Sequence, residues 1–232
     1  MNALPVMLSW SGGKDSALAL HALRQDPQYE VRGLLTSVNA RYQRISMHGV
    51  REALLDAQAA SLGLPLYKVR LSEQPSNEEY EQKMRTALEA FKTQGIRHVA
   101  FGDLFLDDIR QYRLENMRKI NMACLFPLWH RPTDKLAREF VALGFRAVLC
   151  CVDEQALSGE FAGREYDASL LKDLPDGVDP CGENGEFHTF VYDGPVFRWS
   201  IAFTRGERVR RDGRFHFCDL IPAAPYVLAQ LA

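Results

Sequence analysis

No segment of this chain reaches the roughly 18 uninterrupted apolar residues that a membrane span requires. Met1 to Trp10 has no basic stretch leading into an apolar one, which excludes the usual form of a secretory leader. The expectation is a cytoplasmic protein with no membrane partner. Cysteine is sparse and odd in number (Cys124, Cys150, Cys151, Cys181 and Cys218), and no C-x-x-C pair occurs. That removes a zinc ribbon and a dithiol redox site. Cys150 and Cys151 lie in the apolar run Phe145 to Val152 and read as buried strand side chains rather than as a sulfur carrier. Charge of one sign is also missing: 28 Lys and Arg against 30 Asp and Glu give a net charge of -2. The chain as a whole therefore has no electrostatic reason to bind nucleic acid. The basic run Arg205 to Arg214 reads as a solvated hairpin face. There is no repeat of fixed period and no G-x-G-x-x-G, so the dinucleotide fingerprint is absent.

What remains is ordinary globular usage, 47% hydrophobic and 25% charged over 232 residues. That length suits a Rossmann-like domain carrying a smaller one. Short β-rich runs alternate with helical patterns in the first half, the signature of a parallel sheet covered by helices. Leu4 to Trp10, Glu30 to Ser37, Leu66 to Leu71 and His98 to Gly102 read as strands. Asp15 to Arg24, Arg51 to Leu62 and Asp108 to Asn121 read as helices. Another helix starts at Ser76, where Ser76 and Glu79 have the spacing of a capping box, and its inward stripe is Tyr80, Met84, Ala87 and Phe91. Pro127, Trp129 and Pro132 break the rhythm before a helix over Thr133 to Leu143. A domain boundary is expected there, giving an ATP-binding part over 1–127 and a substrate-binding part over 128–232. Ser158 to Gly185 reads as a long loop, of the kind that is usually functional or disordered. Phe187 to Tyr192, Arg198 to Arg205 and Phe215 to Leu220 alternate with period two, with Arg205-Gly206 and Asp212-Gly213 as turns, so a small antiparallel sheet should close the chain. The expected class is α/β, a Rossmann-like parallel sheet with helices on both faces plus a smaller α+β part.

The strongest chemical signal is Ser9-Trp10-Ser11-Gly12-Gly13-Lys14-Asp15-Ser16, between the first strand and the first helix. A glycine-rich turn into a helix offers amides and partial positive charge to a pyrophosphate group. Gly12 and Gly13 permit close approach, Lys14 supplies a point charge, and Ser11 and Ser16 supply hydroxyls. Asp15 would repel phosphate unless it holds a divalent cation or caps the helix, which points to magnesium shared with the phosphates. A Walker A loop fails on spacing, because Leu8 stands where its first glycine belongs and Asp15 follows the lysine.

The octet resembles the S-G-G-x-D-S signature of the PP-loop ATP pyrophosphatases. Further blocks narrow the resemblance to the diphthine–ammonia ligase family over essentially the whole chain: Met47-His48-Gly49-Val50, Gly102-Asp103 with Pro127-Leu128-Trp129, and Gly182-Glu183-Asn184-Gly185-Glu186-Phe187-His188-Thr189-Phe190. In the third block Asn184 and His188 stand where the eukaryotic and archaeal enzymes have glycine and glutamate. The resemblance implies ATP and Mg2+ as cofactors, adenylylation of a carboxylate with release of pyrophosphate, and amide formation from ammonia or an amine. The carboxylate would belong to a small molecule or a modified protein side chain. Other readings are a PP-loop enzyme acting on another metabolite or a nucleobase, and an ATP-binding sensor without turnover; a homo-oligomer is compatible with all of them.

The expected nucleotide site comprises Ser9, Ser11, Gly12, Gly13, Lys14, Asp15 and Ser16, with adenine near Thr36 and Ser37. Gly102 and Asp103 join it because they end a parallel strand, where ligands usually lie. Lys14, Asp15, Glu183 and Glu186 are the expected catalytic set. Both glutamates would bind an incoming ammonium or a cationic substrate group, or act as the base that deprotonates it. His48, Asn184, Gly185, His188 and Thr189 are the expected substrate contacts, with His188 titrating near neutrality. Trp129 is read as either a hydrophobic plug or a substrate platform.

Overall fold

The computed structural model describes residues 3–42, 44–45 and 49–223. Its elements in chain order are β1 (Leu4–Ser9), α1 (Lys14–Gln25), β2 (Tyr29–Asn39), β3 (Arg44–Ile45), α2 (Glu52–Leu62), β4 (Leu66–Leu71), α3 (Asn77–Lys92), β5 (His98–Ala100), α4 (Asp107–Lys119), β6 (Ala123–Leu125), α5 (Thr133–Ala142), β7 (Arg146–Asp153), α6 (Ala168–Asp173), β8 (Phe187–Asp193), β9 (Phe203–Arg211) and β10 (Phe215–Pro222).

β1 shows why the first sheet forms. Val6 and Leu8 face one side and Met7 the other, all fully buried, as a strand covered on both faces demands. β2 and β5 flank β1 in parallel, β4 lies beyond β2 and β6 beyond β5, while short β3 runs antiparallel at the far end of β2. α1 and α2 pack with Val6, Leu8 and Leu34. α3 and α4 pack with Met7, Leu35 and Val99 on the opposite face. The chain thus winds outward from β1 in both directions. The carboxyl ends of β1 and β5 flank the point where the winding reverses, the place where open α/β sheets bind ligands.

A second, four-stranded antiparallel sheet has the order β8-β7-β10-β9. Its core residues Val148, Phe187 and Phe190 belong to the same apolar cluster as α1 and α2. β8 also runs along the turn between β1 and α1: the Val191 N–H donates to the Gly12 carbonyl at 2.9 Å. The two sheets therefore meet at the glycine-rich turn.

Several local expectations are changed by tertiary packing. The strand expected over Arg198 to Arg205 begins only at Phe203, and Arg205-Gly206 lies inside β9 instead of turning. Pairing shifts register there, opposite Cys218 to Leu220. Asp212 and Gly213, both at positive φ, make the actual hairpin turn, as type I′ geometry requires. The loop-rich stretch contains α6, whose Asp167 side chain accepts from the Leu170 N–H at 2.8 Å. The box at Ser76 is half formed: Ser76 Oγ accepts from the Glu79 N–H at 3.1 Å, but the Glu79 carboxylate turns to Ser72 and Lys83.

Candidate active site

A polar cavity of about 290 Å³ opens at the reversal point. Ser9, Ser11, Lys14, Asp15 and Ser16 form its floor, and Phe101, Gly102, Asp103, Leu106 and Arg113 form one wall. Cys181, Gly182, Glu183, Gly185, Phe187, His188 and Thr189 form the other. The octet, the end of β5 and the block before β8 therefore converge, although they are far apart in sequence.

The turn is held from several sides. Gly12 has φ +76 and a Cβ there would sit 2.8 Å from Gln58 Oε1, so this position needs glycine on both counts. Gln58 accepts from Trp10 Nε1 at 2.9 Å and donates to the carbonyls of Gly12 and Val191 at 3.0 and 2.5 Å. The Gly13 N–H donates to Ser11 Oγ at 3.2 Å, and the Lys14 N–H to Thr189 Oγ1 at 3.0 Å. Ser16 Oγ donates to the Gly13 carbonyl at 2.8 Å. Gly102 lets β5 approach the start of α1, since a Cβ there would lie 2.9 Å from the Asp15 carbonyl carbon.

The Lys14 ammonium is 3% exposed and lies 2.8 Å from Asp15. Burial opposes its charge, but the causes that favour it, led by the attraction of Asp15, which also accepts its hydrogen bonds, hold the group above the ordinary lysine range. It is charged at neutral pH. Asp103 and Arg113 form a second pair, with Nε to Oδ2 at 2.5 Å and Nη2 to Oδ1 at 3.0 Å. The Arg113 guanidinium also lies over the Phe101 ring, 4.4 Å from its centroid. Both cations of the cavity floor and wall are thus matched to a carboxylate.

Glu183 enters from the opposite wall, and its Oε1 accepts from the Leu104 N–H at 2.9 Å. Burial pushes its carboxyl up to about 7, with the Leu104 bond pulling the other way. It therefore exchanges protons near neutrality, as a general acid or base must. His188 departs from expectation. Burial first, and the Lys14 charge second, bring its imidazole down to about 4, so it is neutral at pH 7 and does not titrate there. Cys181 lines the cavity, but burial raises its thiol to about 12, which leaves it a poor nucleophile.

Other expected residues stand outside the cavity lining. Glu186 is buried, and its carboxylate accepts from the N–H groups of Asp179 and Asn184 and from Asn184 Nδ2, each at 3.0 Å. It fastens the loop instead of facing the cavity. Asn184 belongs to the same clasp. Thr36 and Ser37 lie in β2 between β1 and β4 and do not line the cavity. Gly12 and Gly13 shape the turn from behind. Trp129 packs on Phe126 and under Arg110, 5.0 Å from its guanidinium, in keeping with a packing role. His48 lies outside the described residues. Among the described residues no group of three or more His, Cys, Asp or Glu side chains is arranged to hold a metal by itself. No helix of the described residues is long and apolar enough to cross a membrane.

Two family models match the chain. Residues 5–122 match the model of the diphthamide synthase N-terminal domain, and residues 132–220 that of the C-terminal domain. The chain belongs to the diphthamide synthase family. Within that family it is 28% identical over 246 residues to the diphthine–ammonia ligases of Rattus norvegicus and Mus musculus, covering 94% of this chain and 87% of each relative. The diphthine–ammonia ligase of Homo sapiens is 27% identical over 205 residues, covering 80% of this chain and 72% of the relative.

Neither Arg113 nor Gln58 is marked by the sequence as shaping the cavity or the turn beside it. Arg113 was legible only as part of an amphipathic helix, and nothing in its neighbours marks it as facing Asp103. Gln58 carries a weak signal, a polar side chain on the apolar stripe of α2, which is the pattern of a buried hydrogen-bonding residue.

Proposed function

We propose that the cavity binds ATP and that a substrate carboxylate attacks the α-phosphorus, releasing pyrophosphate, after which ammonia displaces AMP from the acyl-adenylate to form an amide. Family membership makes the chain an ATP-dependent ligase forming a carbon–nitrogen bond; the adenylyl route and the acceptor are the proposed part. Diphthine is the acceptor this reading favours, because the matched relatives are diphthine–ammonia ligases over most of their length. The division into a nucleotide part over 1–127 and an acceptor part over 128–232 belongs to the same reading.

One observation carries it: Lys14 and Asp15 on the phosphate-type turn face the same cavity as Glu183, whose carboxyl is poised at about 7. Lys14 and the start of α1 neutralise the outer phosphates, leaving the inner phosphorus open to attack, so that alignment and charge supply most of the rate. A magnesium ion needs only one or two protein carboxylates beside the phosphates, and Asp15 on the cavity floor fits that role. Bound there, the ion would screen phosphate charge. Glu183 takes the proton from ammonium, or from the adduct as AMP departs. The neutral His188 in the same cavity can accept or donate a hydrogen bond without adding charge.

The test is product analysis with ATP, ammonium and a diphthine-bearing peptide or protein. AMP, pyrophosphate and the acceptor amide are expected in equal amounts. ADP and orthophosphate would overturn the reading. AMP formation only with a metabolite or nucleobase in place of diphthine would transfer the chemistry to another acceptor, and ATP bound but never cleaved would make the protein a sensor.

A further inference from the structure

We propose that Arg113 binds the phosphate attached to the nucleoside, and that Asp103 occupies its guanidinium until a nucleotide arrives. The inference rests on the cavity being an ATP site, and assigns a residue that the phosphate-type turn does not include. Arg113 lines the polar cavity and also a smaller apolar cavity of about 40 Å³ walled by residues such as Leu35, Leu88, Val99 and Met117. It stands where the polar and apolar spaces adjoin, with Ser9 and Phe101 shared as well. A nucleotide that enters the polar cavity with its nucleoside toward this apolar side places the nucleoside-bonded phosphate beside Arg113.

The geometry of the guanidinium suits that group. The Arg113 Cζ lies 4.4 Å from the centre of the Phe101 ring, and the two-point bond to Asp103 shows that the guanidinium edge toward the cavity carboxylate is a usable fork. A tetrahedral phosphate offers the same pair of oxygens, which lysine cannot grip in this way. The cavity holds two cation–carboxylate pairs, Lys14 with Asp15 and Arg113 with Asp103. An entering polyphosphate competes with both carboxylates. Lys14, on the turn, takes the outer groups that leave as pyrophosphate. Arg113, beside Phe101 and Asp103, keeps the group that stays with the adenylate. It would therefore retain the acyl-adenylate while ammonia enters.

Calorimetric titration of the full chain with ATP, AMP, pyrophosphate and adenosine separates the roles. For Arg113→Lys, affinity for AMP and ATP should fall about tenfold or more, the value of a charge-assisted two-point bond, while adenosine and pyrophosphate bind as before. Lys14→Met should weaken ATP and pyrophosphate and spare AMP. Asp103→Asn, which removes the competing charge, should leave AMP binding equal or tighter. AMP binding within twofold of the parent in Arg113→Lys, or an equal loss for adenosine, overturns the inference while ATP binding by the parent protein stands. A parent protein that binds no adenine nucleotide overturns both this assignment and the ATP reading beneath it.

Discussion

The backbone N–H of Lys14, at the start of α1, donates to Thr189 Oγ1 in β8, 3.0 Å away and 175 residues along the chain. Thr189 is 3% exposed, so this amide has no ready access to water. Because the hydroxyl comes from the second sheet, the phosphate-type turn is not a self-contained unit. Its geometry depends on β8 being in place. Thr189→Val keeps the shape and removes the acceptor; it should cost about 1–3 kcal/mol in urea denaturation and weaken ATP binding. Thr189→Ser should restore most of both. Full ATP affinity in the valine variant would sever the link.

Gln58 ties together the three segments that meet at the turn. Replacing it with leucine leaves the Trp10 indole N–H and the Val191 carbonyl unpartnered, while Gly12 keeps its bond from the Val191 N–H. A loss of about 3 kcal/mol is expected by denaturant titration. Tryptophan fluorescence should report the change at Trp10 directly.

Glu183 and His188 impose opposite pH dependences on stability. Glu183 holds its proton up to about 7 in the fold against an ordinary value of 4.5, so the folded state binds more protons across that window and stability falls as pH rises through it. His188 stays unprotonated down to about 4 against an ordinary 6.5, so the unfolded state binds more protons between those values and stability rises with pH. The two slopes largely offset each other in the parent chain. Glu183→Gln should unmask a melting temperature that climbs from pH 4 to 6.5, and His188→Gln one that declines from pH 4.5 to 7. Parallel curves for both variants would refute the assignment.

Turnover should carry the Glu183 inflection, rising as pH passes about 7, because the ionised carboxylate is the proposed base. Glu183→Gln should abolish this inflection along with most of the rate.

Glu186 acts on the same profile indirectly. Its three bonds to Asp179 and Asn184 close the loop that presents Glu183. Glu186→Ala should let water reach Glu183 and move the inflection down toward the usual carboxylate range. An unchanged inflection with lowered stability would make Glu186 a support for the fold alone.

Much of this was written in local patterns. The strand Leu66–Leu71 and the inward stripe Tyr80, Met84, Ala87 and Phe91 stand where period and turn chemistry put them. Those signals depend on neighbours a few residues apart. The same holds for the glycine-rich octet, since strand, turn and helix start are contiguous there. Arg205-Gly206 imitates a turn locally but lies inside β9, whose register is decided by β10 across the sheet.

By itself, the sequence determined the α/β class, the phosphate-type turn and the acidic block before β8, each a property of adjacent residues. Only the tertiary structure decided that Glu183 faces the cavity while Glu186 turns into its own loop, that Arg113 joins Asp103, and that Thr189 and Gln58 hold the turn. Those contacts lie between segments up to 175 residues apart. Which side chain of a flexible loop meets solvent and which meets an unpaired amide is settled by packing and burial, and no local period encodes it.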